Sequence, residues 1–300
     1  MPINNDLPDI KSPVPDRYSQ LPRTNYRRHL QNIKVQLLQS PSKEELLSYI
    51  PRWGTATWND KPHNLFDVEQ RESILQDLFD GKILPSAMET IGLVFLISNI
   101  DLVDVTHLLR HRTMSFSAIC SADRDMRHDD CLLKPSIEVN EEFRDRFLEL
   151  VGQTKRLYAD MVDSGDVSFL DARTILPRCL EHHYYVRVNL KDAIGYVLQR
   201  IDRQIQPESD NIVALRMWIE IVKQYPMIKH LIDFNKPDAF YVKVAPTGRS
   251  SNIYMPETPR NDVFEYKEQW FMYKCERSQM PGGDVFTELW DELIEELGEI

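Results

Sequence analysis

Residues 110–124 read Arg-His-Arg-Thr-Met-Ser-Phe-Ser-Ala-Ile-Cys-Ser-Ala-Asp-Arg and follow directly on an apolar-rich run over 91–109. Residues 91–98 (IGLVFLIS) are continuous and partly β-branched, which predicts a buried strand; 102–109 predicts a helix that delivers Arg110 at its C-terminal end. Arg110 and Arg112 bracket His111, so two permanent cations and one titratable ring fall within three residues. A cationic triplet at the end of a buried segment carries a desolvation cost unless an anion meets it. Guanidinium groups make charge-assisted pairs with phosphate oxygens, so a phosphate-bearing ligand is the natural partner.

The 300 residues are 42% hydrophobic, enough to bury one large core or two modest ones. Glycine is scarce (10) and proline fairly common (18), which argues for helices with Pro-marked ends and against a Gly-rich phosphate loop. Neither GxGxxG nor a GxxxxGKS/T run occurs, so Rossmann and P-loop readings have no support. The net charge of −11 disfavours nucleic-acid binding through a basic surface. Anionic ligands must be held by local arginine clusters against the global field. Cys120, Cys131, Cys179 and Cys275 form no CxxC pair, and neither a leader nor an apolar run of membrane-spanning length is present. The expectation is a cytoplasmic protein with reduced thiols. No metal is expected: His128, Asp129, Asp130 and Cys131 are adjacent, and adjacent residues seldom supply several ligands to one ion.

Residues 1–25 carry five prolines and many polar groups, and the region 1–40 is expected as an N-terminal arm. A body over 41–235 and an extension over 236–300 follow. Ser42 and Glu45 have the spacing of a capping box opening a helix over 42–49; a second helix is expected over 67–79 with Gly81 as its stop. Residues 140–164 form the clearest helix, with Phe143, Phe147, Val151, Leu157 and Met161 on its predicted face and Gly165 behind it. A short helix over 170–175 is stopped by Pro177, and 184–188 (YYVRV) is a strand. Helices are expected over 190–205, 212–230 and 285–297, and a strand over 241–244. His182 and His183 read as a strand-edge pair, of which one can face inward. The fold class is α+β, a small, mostly antiparallel sheet flanked by long helices.

Three further arginine- or lysine-bearing segments stand out: 171–177 (DARTILP), 189–191 (NLK) and 198–202 (LQRID). Arg173 precedes Leu176-Pro177, Asn189 lies twelve residues after Pro177, and Arg200 lies eleven after Asn189. With the Arg-His-Arg triplet, this spacing resembles the flavin-dependent thymidylate synthase family over roughly residues 81–230. The resemblance implies the fold given above and C5 methylation of a uridylate nucleotide, dUMP to dTMP foremost. Reduced FAD, methylene-tetrahydrofolate and NADPH would serve as cofactor and co-substrates, in a homotetramer with shared active sites. It places Arg110, His111, Arg112, Asn189 and Lys191 at the flavin. Arg173 would hold the nucleotide phosphate and Arg200 would polarise the uracil carbonyl. His107, Cys120, Ser121 and Arg124 would complete the nucleotide shell.

The departures from the family pattern are specific. After the triplet and seven intervening residues the family has a serine where this chain has Cys120; its preceding Asn-Glu pair gives way to Ser117 and Ala118, and its following Arg and Tyr, one residue on, to Ala122 and Asp123 behind Ser121. Arg124 would replace the missing arginine only across a two-residue bulge. A nucleotide-contacting Gln becomes His107, a His becomes Gln204, and a Pro-Phe-Glu-His segment is reduced to Pro85, Met88, Glu89 and Thr90. A rewritten nucleotide shell leaves open another substrate (UMP, dCMP or CMP), a hydroxymethyl product, or a catalytically silent homologue that binds nucleotide or protein. Cys120 reads as a nucleotide-lining thiol; a nucleophilic role at pyrimidine C6 is the competing reading, because nearby cations favour a thiolate.

Overall fold

Strand β1 (Tyr26–Arg28), helix α1 (His29–Asn32), strand β2 (Lys34–Gln39) and helix α2 (43–49) open the part of the chain that the computed structural model describes. The described residues are 26–49, 67–80, 85–118, 125–201, 203, 208–234, 241–242 and 282–300. Helix α3 (Val68–Phe79) and a 3-10 turn over Pro85–Thr90 lead to β3 (Gly92–Ile100), α4 (Leu102–Leu108) and β4 (Ser115–Ala118). Then come β5 (Cys131–Leu133), α5 (Pro135–Glu138), the long α6 (Glu141–Ser164) and α7 (Phe169–Ala172). Strand β6 (His182–Asn189) runs directly into α8 (Leu190–Arg200), followed by α9 (Glu208–Gln224). The two-residue strands β7 (Ile232–Asp233) and β8 (Tyr241–Val242) and helix α10 (Gly283–Glu299) complete the order.

The main sheet has the order β2-β3-β6-β4 and is antiparallel throughout; β1 and β5 form a separate parallel pair. The expected α+β class is therefore correct. Alternation along β3 and β6 sends Leu93, Phe95, Ile97, Val186 and Val188 to one face, where α8 and α9 cover them. Helix α9 is buried on nearly every side, with Trp218 at its centre, because the sheet lies on one flank and α10 on another. Residues 34–39, inside the region expected as an arm, form the edge of this sheet, and α10 adds Phe286, Trp290 and Leu293 to the same core. Among the described residues no helix is long and apolar enough to cross a membrane.

Local chemistry sets the helix ends. Glu45 Nα–H donates to Ser42 Oγ (3.1 Å) and Ser42 Nα–H to Glu45 Oε2 (2.7 Å), the expected capping box. Asp67 caps α3, Asn140 caps α6, and Gly165 closes α6 in the left-handed region at φ 73°. Gly81 lies outside the described residues.

Three expectations are corrected. The buried face of α6 is Leu148, Val151, Lys155, Tyr158 and Ala159, while Phe143 and Leu157 are 59% and 47% exposed. The helix has two apolar stripes roughly a third of a turn apart, and the one at seven-residue spacing (Phe143, Leu150, Leu157) faces outward. Helix α8 stops at Arg200 rather than 205. The helix expected over 212–230 starts at Glu208 and ends at Gln224, where Pro226 forces a 3-10 turn over Pro226–Leu231. Its first turn was missed because Ser209, Asp210 and Asn211 are polar; they are buried all the same, held by hydrogen bonds to distant elements.

One such bond belongs to a charged cluster joining four elements. Asp104 of α4 accepts from Ser209 Oγ (2.6 Å), and its other oxygen lies 2.7 Å from His29 Nε2 of α1. Lys134 Nζ reaches both Asp101 (3.0 Å) and Asp104 (3.1 Å). Asp101 also caps α4 through Val103 and Asp104 Nα–H. His29, Asp101 and Asp104 are grouped closely enough to hold a metal ion, but the Lys134 ammonium already stands between the two carboxylates. Burial alone would push the Asp104 carboxyl up; Lys134, His29 and Ser209 outweigh it and hold the group well below the usual carboxylate range. Because the folded-state value is depressed, this contribution is present above the unfolded value of about 4 and drains away as pH falls below it. We expect Asp104→Asn to lower the unfolding free energy at pH 7 by about 3 kcal/mol, with a smaller difference from wild type at pH 3. Equal losses at both pH values in denaturant titrations would show that packing, not charge, is responsible.

Candidate active site

The Arg-His-Arg triplet forms the tight turn between α4 and β4. Val105 and Leu108 anchor the turn on one side and Met114 on the other, all buried. Successive bonds from Arg110 Nα–H to His107 O, His111 Nα–H to Leu108 O and Met114 Nα–H to His111 O fix its path. Arg110 and Arg112 are exposed and His111 is turned inward. Among the described residues neither arginine finds a carboxylate, an unusual situation on a chain of net charge −11. Arg187, also exposed, sits in register with Ser115, three residues beyond Arg112.

Arg200 closes the site from the far end of α8. It is 9% exposed, and its three nitrogens reach three acceptors: Nε donates to His111 Nε2 (3.0 Å), Nη1 to Asp210 Oδ2 (3.2 Å) and Nη2 to His107 O (3.2 Å). His107 Nδ1 meets the same Asp210 oxygen at 3.0 Å. Asn211 Nδ2 donates to Arg200 O at 2.6 Å, so the first turn of α9 grips the end of α8 by side chain and backbone. The His111 ring stands edge-on to Tyr196, centroids 4.7 Å apart. Burial of the Tyr196 hydroxyl, reinforced by Asp210, pushes its pKa above the usual tyrosine range, so it stays a neutral phenol. Burial, then the Arg200 charge, pushes His111 down to about 4. His111 is thus a neutral ring whose Nε2 accepts, which assigns its proton to Nδ1.

The remaining sequence-derived candidates fall elsewhere. Asn189 caps α8: its Oδ1 accepts from Asp192 Nα–H (2.9 Å) and its Nδ2 donates to Asp192 Oδ2 (2.7 Å). It stands at the opposite end of α8 from Arg200, about 16 Å along the axis at the rise of an α-helix. Lys191 pairs with Glu89 of the 3-10 turn. Arg173 lies at the end of α7, where its Nε donates to Leu170 O (3.1 Å), on the lobe built around α6. Cys120, Ser121 and Arg124 lie outside the described residues, as does Gln204. Asp210 and Tyr196 were missed by the sequence reading. Asp210 stood in a polar run that resembles a loop, and the available signal was an acidic residue just before the long apolar run 212–222.

Because the His111 value is depressed, the unfolded chain binds more protons than the folded one between about pH 4 and 6.5, and stability falls as pH drops through that window. We expect the His111 ring to remain neutral to about pH 4 in an NMR titration, and Arg200→Met to raise its midpoint. A wild-type midpoint near 6.5 would mean that the ring is neither buried nor paired as described.

Comparison with known proteins bears on this arrangement. The chain matches the family Thymidylate synthase complementing protein over residues 36–227, well over half its length. A comparison with curated proteins gives no match. Among solved structures, the fold is similar to the UMP/dUMP methylase PolB from Streptomyces cacaoi bound with 5-Br dUMP. The identity is 18% and the TM-score 0.54, covering 68% of this chain and 94% of that one. The same methylase bound with 5-Br UMP gives a TM-score of 0.52 at 18% identity, covering 69% and 95%. With the triplet turn, the Arg200 node and the antiparallel sheet in place, the chain belongs to the thymidylate synthase complementing protein family and is a thymidylate synthase-like methyltransferase.

Proposed function

We propose that this protein methylates C5 of a uridylate nucleotide, dUMP to dTMP foremost, with FAD, methylene-tetrahydrofolate and NADPH. The observation that carries the reading is the Arg200 node. A guanidinium held in a largely dry site by Asp210 and His111 keeps its charge and orientation, the requirement for stabilising negative charge on a uracil oxygen as C5 becomes nucleophilic. Asp210 occupies His107 Nδ1, which leaves the ring's Nε2 to meet the nucleotide where the family has a glutamine.

The donor set fits a dinucleotide cofactor. Arg110 and Arg112 are exposed guanidiniums without carboxylate partners among the described residues, suited to a pyrophosphate. Asn189 and Lys191 would flank the ring system from the start of α8. When bound, FAD supplies the hydride that completes the methyl group, since no side chain here transfers hydride. Arg173 would hold the nucleotide phosphate.

The location of Arg173 on the α6 lobe, apart from Arg200, supports a site shared between subunits of a homotetramer. So does the outward stripe of α6, where Leu150 is 61% exposed between Phe143 and Leu157. We expect Leu150→Glu to shift the assembly to smaller species in light scattering while the circular dichroism stays native. An unchanged mass would remove this stripe from the interface.

UMP is the second reading. It rests on the rewritten shell at 117–124 and on the fold's similarity to a methylase that carries 5-Br UMP as well as 5-Br dUMP. The test is to incubate FAD-loaded protein with dUMP, UMP, dCMP or CMP plus methylene-tetrahydrofolate and NADPH and to read product masses. A mass gain of one methyl group on a uridylate is expected; no product with any of the four would defeat the proposal. Arg173→Ala should mainly raise KM, about tenfold, by loss of a contact made equally in ground and transition states. Arg200→Ala should mainly lower kcat, by about a hundredfold. The same kinetic pattern in both variants would refute the two assignments.

A further inference from the structure

Cys131 and Cys179 take no part in the chemistry proposed above, yet they are brought together with care. Both are free thiols, and their Sγ atoms lie 3.2 Å apart. The main chain holds them there: Cys131 forms an antiparallel bridge with Leu180, and Leu132 Nα–H donates to Cys179 O at 2.8 Å. Cys131 is fully buried in a small core with Leu133, Leu148 and Val151. Cys179 is half-buried and lines a cavity of about 360 Å³ beside Pro177 and Arg178, so a small solute can reach it. The buried Lys155 ammonium, anchored on Asp129 O at 2.6 Å, acts on both sulfurs, with the Asp101 carboxylate opposing it. The hydrogen bond from the Cys131 thiol favours the Cys179 thiolate and holds the Cys179 pKa below the ordinary thiol value.

We propose that Cys131 and Cys179 form a reversible disulfide on exposure to hydrogen peroxide, and that this bond clamps the 173–180 segment, which carries Arg173, to β5. The Cys179 thiolate attacks one peroxide oxygen; the O–O bond breaks, hydroxide leaves and a sulfenic acid forms. Cys131 then attacks that sulfur; the S–S bond forms, the S–O bond breaks and water leaves with the Cys131 proton. Two electrons pass from the sulfurs to one peroxide, which ends as two waters, the expelled hydroxide taking up the proton that the Cys179 thiol released. A dithiol reverses the reaction by exchange. The sulfurs need to close by only about 1 Å to reach disulfide length. The segment concerned is short and mostly irregular, a 3-10 turn ending at Ile175 followed by Pro177, so a covalent tie at Cys179 restricts the backbone on which Arg173 stands.

The test uses the full-length protein titrated with hydrogen peroxide and quenched. We expect a mass loss of about 2 Da, reversed by dithiothreitol, with the Cys131 and Cys179 peptides joined in a non-reducing map. Free thiols should fall from four to two. Amide exchange through 173–180 should slow several-fold in the oxidised protein, and Tm should rise by several degrees because a loop of about 50 residues is closed. Cys131→Ala should instead accumulate oxygenated Cys179. Four persistent thiols, joined peptides containing Cys120 or Cys275, or a disulfide that leaves exchange at 173–180 unchanged would each overturn the proposal. None of these readouts depends on nucleotide turnover, so the inference stands or falls separately from the proposed reaction.

Discussion

One carboxylate oxygen, Asp210 Oδ2, sits between Arg200 Nη1 and His107 Nδ1, and the candidate site is arranged around it. Three chain segments converge there: the end of α8, the end of α4 and the first turn of α9. Each would leave polar groups unsatisfied in the core if it moved alone. A buried guanidinium without an anion is strongly destabilising, whereas one met by a carboxylate, an imidazole and a carbonyl is held in a single orientation. The Arg-His-Arg turn inherits that rigidity, because His111 is the third acceptor on Arg200 and is wedged against Tyr196. Fixing His111 inward leaves Arg110 and Arg112 on the outer side of the turn.

The neighbouring cluster of His29, Asp101, Asp104, Lys134 and Ser209 gives the same construction a second anchor one residue away on α9. Ser209 ties α9 to the start of α4 while Asp210 ties it to the end, so helix α4 is pinned at both termini by adjacent residues. This explains a helix N-terminus that is polar in sequence and buried in structure. The charges of the site are therefore framework first: Arg200 is the link that locks two helices, and under the proposed function the same guanidinium is the cation offered to the uracil.

The sheet with α8 and α9 forms one lobe of the molecule, and α6 with α7 another. Arg173 belongs to one lobe and Arg200 to the other, and Asn189 and Arg200 stand at opposite ends of one helix. Under the proposed function, a site that uses both Arg173 and Arg200 is completed by neighbouring copies of the chain. The outward apolar stripe of α6 offers a surface for such contacts.

Much of the fold was legible along the chain. The run 91–98, the strand at 184–188, the capping box of Ser42 and Glu45, and Gly165 behind α6 are local signals, and local physics determines them: β-branched alternation, side-chain capping and a left-handed glycine. The spacing of Arg110–Arg112, Arg173, Asn189 and Arg200 is likewise a property of the sequence alone, and it led to the family. The tertiary structure decided the rest. Which of the two stripes of α6 is buried depends on what packs against it, and either stripe satisfies helical periodicity. Whether Ser209, Asp210 and Asn211 form a loop or a buried helix turn depends on partners roughly ten to a hundred residues away, Arg200, His107 and Asp104. The neutral state of His111 and the meeting of Cys131 with Cys179 have the same origin. Burial and pairing are properties of a neighbourhood, and a neighbourhood exists only once the chain has folded.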